Sequence, residues 1–289
     1  MANIYIYPKL PSVHHFIIRF TGSGLANCLF IYARAVLLSE KYNLPILNPS
    51  WVQFNIGPYL RGEKDKRHYN GLFKSFGKSY FLKHWLLLTQ KKISEDSAPV
   101  NLKKGIIYVE GLKNYFEDIR FSSNKVLKHL LSIIKEKDLK VYHQKNENFI
   151  AVHVRLGDYS LESRTNLGWF IDNIKFIQSC IDEEINFYIF SDGNQNELAD
   201  LLKIKNCKLV FFGSAIADIL VLSKAKLILA SDSTFSAWGA YLGQVPIVFN
   251  KKHFGKILDN EENELVTKGK EQTEIEKDLK FLINKHVVN

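Results

Sequence analysis

The sequence contains little cysteine, and none of it forms a recognisable motif. The three cysteines, Cys28, Cys180 and Cys207, lie far apart, and no two of them form a CxxC pair. This spacing excludes a disulfide framework and a cysteine-based zinc site. It favours a reducing compartment, so we expect a cytoplasmic protein.

A long uncharged apolar run is also missing. The most apolar stretch, residues 209–230, is interrupted by Asp218, Lys224 and Lys226. A membrane-spanning helix needs about 20 nearly uncharged residues. The amino-terminal residues lack the basic start and apolar core of a signal peptide. We therefore expect a soluble protein, whose basic surface is compatible with peripheral association with the inner face of a membrane.

Several motifs of metal, hydrolytic and nucleic-acid chemistry are absent. The sequence has no Asp-x-Asp triplet to hold a metal–nucleotide complex, no HExxH and no G-x-S-x-G. Metal-free chemistry, in which an arginine and a helix N-terminus neutralise phosphate, is therefore favoured. The lysines are scattered and no RNP, helix-turn-helix or zinc-finger pattern occurs, so no nucleic-acid partner is expected.

What the chain does contain is typical of a folded globular protein. It has 289 residues, of which 46% are hydrophobic and 24% are charged. This length predicts one large or two ordinary domains, and the composition excludes disorder and collagen-like structure. Lysine and arginine number 39 against 30 acidic residues, which gives a net charge of +9. The excess favours anionic ligands such as nucleotides.

The second half alternates apolar strands with amphipathic helices. Near-continuous apolar strands separated by helices indicate a parallel sheet that is covered on both faces, and therefore a Rossmann-like α/β unit. Ligands of such units bind at the carboxyl ends of the strands. The predicted strands are 149–154, 186–190, 208–212, 226–230 and 245–249, and the predicted helices are 168–184, 194–202, 215–223 and 234–242.

The first half is less regular. Its predicted strands are 15–20 and 106–109, and its predicted helices are 27–42 and 124–137, with a last helix at 273–285. The polar stretch 143–148 marks the domain boundary. We therefore expect a first domain over residues 1–145, a second over 146–270, and a carboxyl-terminal helix in 271–289 that packs back across the domains.

The first constellation of candidate functional residues lies at the end of strand 149–154. Strand alternation places His153 and Arg155 on the face opposite Val152 and Val154. A buried arginine requires a partner, and the carboxyl end of the strand opens onto the expected ligand crevice. The partner is therefore a ligand in one interpretation, and in the other it is Asp158, in a structural ion pair at the strand exit.

The second constellation lies between strand 226–230 and the next helix. Serine and aspartate at this junction cap a helix start. A helix N-terminus with several hydroxyl groups is equally a phosphate site. The sequence leaves both interpretations open for the stretch Ser231, Asp232, Ser233, Thr234, Phe235 and Ser236.

Two further residues, Asn27 and Asp218, have either a structural role or a role in ligand binding. Gly22 and Gly24 partly match a dinucleotide fingerprint, but Asn27 occupies the third glycine position and the motif fails. Asn27 is then a helix cap or a ligand contact. Asp218 lies in an apolar helix, where it either faces solvent or points into the crevice. In the crevice its carboxylate can accept the N1 and N2 donors of guanine.

In this order, the motifs resemble those of the bacterial α1,2-fucosyltransferases and, more loosely, of the α1,6- and protein O-fucosyltransferases. The segment from His153 to Tyr159 is similar to the family's His-x-Arg-Arg-Gly-Asp-Tyr, with Leu156 in place of the second arginine. The other similar segments are GLANC at 24–28, GLKNYFEDI at 111–119, FSD at 190–192 and SDSTFSAWGAYL at 231–242. The resemblance spans residues 22–242, which is most of the chain.

The resemblance implies a GT-B architecture, in which two Rossmann-like domains face each other across a cleft and the second holds GDP-fucose. It also implies an inverting, metal-independent transfer with no cofactor. Arg155 would hold the β-phosphate, and Asn27 would face the sugar or acceptor. The implied nucleotide contacts are His153, Asp192, Asp218, Ser231, Ser233, Thr234, Phe235 and Ser236.

The resemblance also implies an acceptor, which is the 2-hydroxyl of a terminal β-galactoside such as lactose. Asp158 is the candidate general base, and its structural alternative is to orient Arg155. Tyr115 and Phe116 are the aromatic residues that we expect to face the cleft. A transferase for another GDP-sugar or another linkage, or a non-catalytic binder of anionic ligands, remains the alternative.

Overall fold

The computed structural model describes residues 4–11, 14–15, 19–20, 23–54, 56–60, 68–69, 71–97, 104–145, 147–157 and 164–288. The described residues of Met1–Tyr59 and Lys66–Glu136 form one compact unit. Those of Leu60–Asp65 and Lys137–Asn289 form a second. The two units are described separately below.

The first unit is built on a short parallel sheet with the order β1-β6-β5. Ile6 of β1 and Ile106, Ile107 and Val109 of β6 are fully buried, and α1 packs against both strands. A second small sheet has the order β2-β3-β4. The strands are β1 Ile4–Pro8, β2 His14–His15, β3 Arg19–Phe20, β4 Gln53–Phe54, β5 Lys92–Ser94 and β6 Gly105–Val109, and the helices are α1 Leu25–Tyr42, α2 Gly57–Leu60, α3 Tyr80–Thr89 and α4 Ser123–Ile133.

The second unit contains one six-stranded sheet in which every described pairing is parallel. The order β12-β11-β10-β7-β8-β9 is that of a Rossmann sheet. The strands are β7 Phe149–Val154, β8 Asn186–Ser191, β9 Cys207–Leu209, β10 Leu227–Ala230, β11 Ile247–Phe249 and β12 Glu264–Val266, and the helices are α5 Glu136–Gln144, α6 Leu167–Cys180, α7 Ala199–Leu202, α8 Ala215–Leu222, α9 Thr234–Gly243 and α10 Gln272–His286.

Helices cover the sheet of the second unit and bury its central strands, whereas the edge strands β9 and β12 are partly exposed. All six residues of β7 are buried, as are all four of β10. The carboxyl-terminal helix α10 packs against α6 and β10, and Leu279, Leu282 and Ile283 join the core of this unit. Helices α8 and α9 approach closely, because a side chain at Gly239 would collide with Leu222 and one at Gly243 with Ser223.

Most predicted elements of the second unit are confirmed, and the differences have local causes. Helix α7 is shorter than predicted, because Asn194 and Glu197 exchange side-chain and backbone hydrogen bonds of 2.9 and 3.0 Å ahead of it. The predicted helix 124–137 is divided, since Ile134 adopts an extended conformation and bridges Phe73. The described residues contain no helix that is long and apolar enough to cross a membrane.

Candidate donor-binding site

The strand order of the second unit defines where a ligand would bind. The chain runs outward from β7 to β8 and β9, and then returns to β10 on the other side of β7. The crevice between β7 and β10 is therefore the topological switch point, where α/β sheets bind their ligands at the carboxyl ends of the strands. Both sequence constellations lie there. His153 pairs with Ala230 in the sheet, and the Ser231 amide donates to the His153 carbonyl at 2.9 Å.

Arg155 forms its ion pair with Asp192 after the adjacent strand β8. Its Nη1 lies 2.9 Å from Asp192 Oδ2, and both side chains are about one-fifth exposed, at 22% and 16%. Asp192 Oδ1 also accepts the Leu156 amide at 2.8 Å, while the Arg155 amide donates to Ser231 Oγ at 3.0 Å. Asp192 therefore holds the guanidinium group at the crevice, while hydrogen bonds from backbone amides tie the end of β7 to the ends of β8 and β10.

Two glycines allow the β7 and β8 loops to approach each other. A Cβ atom on Gly157 would lie 2.5 Å from Asp192 Oδ2, and one on Gly193 would lie 2.5 Å from Leu156 Cδ1. Leu156, which replaces the second motif arginine, is buried and belongs to the hydrophobic core. Among the described residues of the β7 loop, Arg155 is therefore the single motif arginine that reaches this crevice.

His153 is buried beside the start of helix α9. Its Nδ1 lies 3.1 Å from Ser236 Oγ, and its ring stacks on Phe235 with a centroid distance of 5.3 Å. Ser236 is fully buried and donates its only hydroxyl proton to the Ser233 carbonyl at 3.3 Å. Ser236 Oγ must then accept from His153 Nδ1, which leaves Nε2 of the neutral ring as a hydrogen-bond acceptor.

Burial keeps His153 uncharged. Desolvation lowers its pKa from 6.5 to about 4, with a further lowering from the charge of Arg155 and a smaller opposing effect of Asp192. The imidazole is therefore neutral near pH 7. Because Ser236 binds His153 and the backbone, its contribution is to orient the histidine ring, and its hydroxyl group is not directed to solvent.

The start of helix α9 combines a cap with an open surface. Ser233 is the N-cap residue, and its side chain accepts the Phe235 amide at 3.3 Å. Ser231 and Ser233 are buried, whereas Thr234 and Phe235 are half-buried. The predicted cap is confirmed. It does not exclude an anion here, because the N-terminus of a helix of this length carries a partial positive charge close to Arg155.

Asp218 lies in the first turn of α8 and is buried, so the solvent-facing interpretation is wrong. Its Oδ1 accepts the Phe212 amide at 2.8 Å and thereby fixes the loop that follows β9. Ser214 caps the same helix and donates to Asp138 Oδ1 at 2.6 Å. The Asp218 carboxylate is thus held rigidly at the edge of the sheet where the strands have their carboxyl ends.

Two predicted residues are not among the described residues of the second unit. Asp158 lies outside the described residues. Asn27 belongs to the first unit, where it is the third residue of α1 and its amide donates to the Gly24 carbonyl at 3.1 Å. Gly24 occupies the N-cap position, so Asn27 is not the cap of this helix.

His253, which follows β11, was not predicted from the sequence. Its amide and its Nδ1 lie 3.1 and 2.7 Å from Asp232 Oδ1, next to the start of α9. Its ring is half exposed. The signal that could have found it is the basic triplet from Lys251 to His253 directly after a buried strand. Among the described residues, no three His, Cys, Asp or Glu side chains are grouped as metal ligands.

The first unit contains a cavity of its own. It measures about 530 Å³ and lies at the carboxyl ends of β1, β5 and β6, next to α3. Its walls combine tyrosine rings with ion pairs, of which Lys113–Asp96 spans 2.6 Å and Lys9–Glu110 spans 2.8 Å. Phe116, which we expected to face a cleft, is buried against Phe30, so that expectation is wrong; Tyr115 is half-buried.

The fold of the second unit is that of a Rossmann unit. The sequence profile described as glycosyl transferase family 11 matches residues 26–251, which is most of the chain. The chain therefore belongs to glycosyl transferase family 11. The resemblance to the bacterial fucosyltransferases is confirmed at this level, and so is the GT-B-like α/β fold class.

Solved structures share the fold at low sequence identity. The fucosyltransferase NodZ from Bradyrhizobium has a TM-score of 0.53 at 12% identity, with 84% of this chain and 94% of that chain covered. A NodZ α-1,6-fucosyltransferase soaked with GDP-fucose has a TM-score of 0.48 at 11% identity, with 84% and 93% covered. No curated protein matches this chain at a significant level.

Proposed function

We propose that this protein transfers L-fucose from GDP-fucose to the 2-hydroxyl of a terminal β-galactoside, with inversion at the anomeric carbon. The observation that carries the proposal is the placement of Arg155 beside the start of α9 at the switch point of a Rossmann sheet. A guanidinium group and a helix N-terminus together match a diphosphate leaving group. Membership of family 11 supports the transfer of a sugar to an acceptor.

Each end of the donor has a candidate partner in the second unit. Arg155, held by Asp192, would contact the β-phosphate, and Thr234 with the α9 N-terminus would contact the diphosphate. His153 Nε2 is an acceptor suited to a ribose hydroxyl. Asp218, held at the start of α8 at the carboxyl edge of the sheet, would accept the guanine N1 and N2 donors. Ser231, Ser233 and Ser236 support this arrangement through internal hydrogen bonds.

The chemical step would rest on stabilisation of the departing charge. The acceptor oxygen forms a bond to the anomeric carbon, while the bond from that carbon to the β-phosphate oxygen breaks and GDP leaves. Arg155 would neutralise the charge that develops on the phosphate. The proton of the acceptor hydroxyl would pass to a carboxylate, for which Asp158 is our candidate. We propose that no metal ion or other cofactor takes part.

The acceptor would bind in the first unit. The supporting observation is the cavity at the carboxyl ends of β1, β5 and β6, where Tyr108 and several charged side chains form the walls. Sugar rings pack on aromatic side chains, and their hydroxyl groups bind charged and polar groups. Asn27 and Tyr115 are further candidates on this unit. A cytoplasmic location is proposed from the three free cysteines.

The test is to incubate the protein with GDP-fucose and lactose and to determine the product linkage by NMR. We expect release of GDP and a product fucosylated on O2 of galactose. Transfer to another hydroxyl, or from another GDP-sugar only, would replace the linkage or the donor in this proposal. Failure to bind any guanine nucleotide would remove the enzyme assignment altogether.

A further inference from the structure

Helix α3 of the first unit is packed with its lysine inside and several of its large apolar residues outside. Lys83 is only 5% exposed, whereas Phe81 and Leu88 are each 85% exposed and Trp85 is 55% exposed. The outward residues occur at positions i, i+4 and i+7, so they form one continuous line along the helix. We call Phe81, Trp85 and Leu88 the α3 stripe.

The buried face of α3 accounts for its attachment to the unit. Leu86 joins a core cluster with Tyr5, Tyr7, Leu47 and Ile106 of the sheet region. Lys83 Nζ donates to the Asn48 carbonyl at 3.3 Å and to Ser50 Oγ at 3.4 Å, and burial lowers its pKa. The helix is thus fixed by its inner face, and the α3 stripe is not needed for that packing.

Apolar side chains of this size are costly to expose. Each fully buried phenylalanine or leucine contributes about 1.5–3 kcal/mol relative to its exposed state. A contiguous exposed apolar line therefore indicates a surface that is covered by a partner. Tyr80 and Leu82 flank the stripe and are also partly exposed, at 43% and 39%.

The charge of the residues that flank the α3 stripe indicates which kind of partner covers it. The sequence from residue 68 to residue 94 contains five lysines and no aspartate or glutamate. Lys74, Lys78, Lys91 and Lys92 lie on either side of α3 and are exposed. A line of Phe, Trp and Leu on a short helix, flanked by basic residues, is the pattern of a helix that lies in the interface of an anionic bilayer.

We propose that the α3 stripe binds the surface of a membrane that contains anionic phospholipid. With ten residues, α3 is too short to span a bilayer, which requires about 20. It would lie parallel to the surface, with Phe81 and Trp85 among the acyl chains and the flanking lysines at the headgroups, while Leu88 at the end of the stripe also lines the first-unit cavity. The charge attraction then adds to the apolar contribution of the stripe.

The proposal is tested by flotation of the full-length protein with vesicles. Vesicles of phosphatidylcholine and phosphatidylglycerol in equal parts should bind the protein, and vesicles of phosphatidylcholine alone should bind it much more weakly. Raised salt should weaken binding to the anionic vesicles, since it screens the lysine charges. On binding, the emission of Trp85 should shift to the blue and be quenched by brominated lipid.

The decisive variant is Phe81→Ser with Trp85→Ser. It should weaken vesicle binding by about tenfold for each side chain removed, and it should leave the melting temperature close to that of the wild type. Phe121→Ser is the matched control, because Phe121 is 76% exposed elsewhere in the same unit. Lys74→Glu with Lys91→Glu should weaken binding more than Lys277→Glu with Lys280→Glu, which changes the net charge equally.

Three outcomes would overturn the proposal. The first is equal flotation with both kinds of vesicle, or none with either. The second is unchanged binding of the Phe81→Ser, Trp85→Ser protein. The third is a concentration-dependent dimer of the wild type that this double variant dissociates, which would assign the stripe to a second copy of the chain.

Discussion

Arg155 and Asp192 leave neighbouring parallel strands and meet as an ion pair, with Nη1 and Oδ2 2.9 Å apart. Asp192 lies 37 residues after Arg155 in the sequence, so only the sheet brings them together. The pair gives the guanidinium group a defined orientation before any ligand binds. Preorganised charge of this kind is the main source of electrostatic catalysis.

Replacement of Arg155 should affect the chemical step more than the fold. Arg155→Ala should lower kcat by about 10²–10³-fold, which is the usual loss for one charge-stabilising donor. Arg155→Lys should restore little, because an ammonium group cannot form the planar two-point contact with phosphate. Steady-state kinetics with GDP-fucose and lactose give kcat for both variants.

Asp192→Asn is the companion variant for this pair. Its amide oxygen can still accept the Leu156 amide but no longer attracts Arg155, so we expect a smaller loss in kcat than for Arg155→Ala. Thermal unfolding of both variants completes the test. If Arg155→Ala abolishes folding, the arginine has a structural role and the assignment to phosphate is incorrect.

Asp218 should determine the preference for guanine. We expect GDP to raise the melting temperature, with ADP and UDP having little effect. Asp218→Asn should reduce GDP affinity by roughly 1–3 kcal/mol, because a donor replaces one acceptor for the guanine N–H groups. The amide oxygen can still accept from Phe212, so the loop after β9 is expected to persist.

Inosine diphosphate provides a matched control for Asp218, since it lacks the 2-amino group of guanine. The wild type should bind GDP more tightly than IDP, and Asp218→Asn should narrow that difference. Calorimetric titration of the two nucleotides into the two proteins gives the four affinities. Equal affinity of the wild type for GDP and ADP would contradict the assignment.

His153 should make folding stability depend on pH. The pKa is lowered to about 4 in the folded chain, against 6.5 as the ordinary value. Between these values the unfolded chain binds a proton that the folded chain does not, so stability falls as the pH falls through this window. At its steepest the effect approaches about 1.4 kcal/mol per pH unit.

The variant for this prediction is His153→Asn, whose amide can still donate to Ser236. Urea unfolding at several pH values should give a shallower pH dependence for the variant than for the wild type. Burial lowers the pKa of His129 and His286 as well, so both proteins retain some dependence. Identical slopes for the two proteins would show that His153 does not titrate in this way.

Fucosyl transfer should continue in excess EDTA. Arg155 and the N-terminus of α9 would supply the positive potential that a metal ion supplies in other nucleotide-sugar enzymes. Rates measured before and after chelation, and after addition of Mg²⁺ or Mn²⁺, should agree. Loss of activity in EDTA with recovery on addition of either ion would establish a metal-dependent reaction instead.

Substitutions in the first-unit cavity should weaken binding of the acceptor and leave binding of the donor unchanged. Tyr108 is partly exposed there and packs edge-on against Tyr7 at a centroid distance of 5.4 Å. Tyr108→Ala should raise KM for lactose several-fold with little change in GDP affinity, whereas Tyr108→Phe retains the ring and should change KM less. A change in GDP affinity without a change in the KM for lactose would place the acceptor elsewhere.

Sequence periodicity predicted the Rossmann unit because its central strands are mostly apolar. Strands β7, β8 and β10 are buried on both faces and stand out as apolar runs, and their positions are confirmed. Strand β12, Glu264–Val266, was not predicted, because it has only three residues and begins with a glutamate. That glutamate is buried in an ion pair with Lys252 at 2.7 Å, which local sequence does not reveal.

The partners of the site residues were less predictable than their positions. Motif order led to Arg155, but proximity in sequence suggested Asp158 as its partner, whereas strand pairing supplies Asp192. Phe116 was expected to face a cleft because it follows a strand, yet its ring packs 4.6 Å from that of Phe30 in the core. Such contacts depend on which strands and helices become neighbours, and local sequence patterns do not reveal that arrangement.

The close contact of α8 and α9 has a consequence for the selection of ligands. Gly239 and Gly243 let the two helices touch, so the distance between Asp218 on one helix and Ser233 at the start of the other is fixed. If the base binds at Asp218 and the diphosphate binds at Ser233, the fixed distance between these residues selects ligands with the length of a nucleoside diphosphate. Guanosine or pyrophosphate alone engages one end, and only a molecule with both parts at the correct spacing engages the two together.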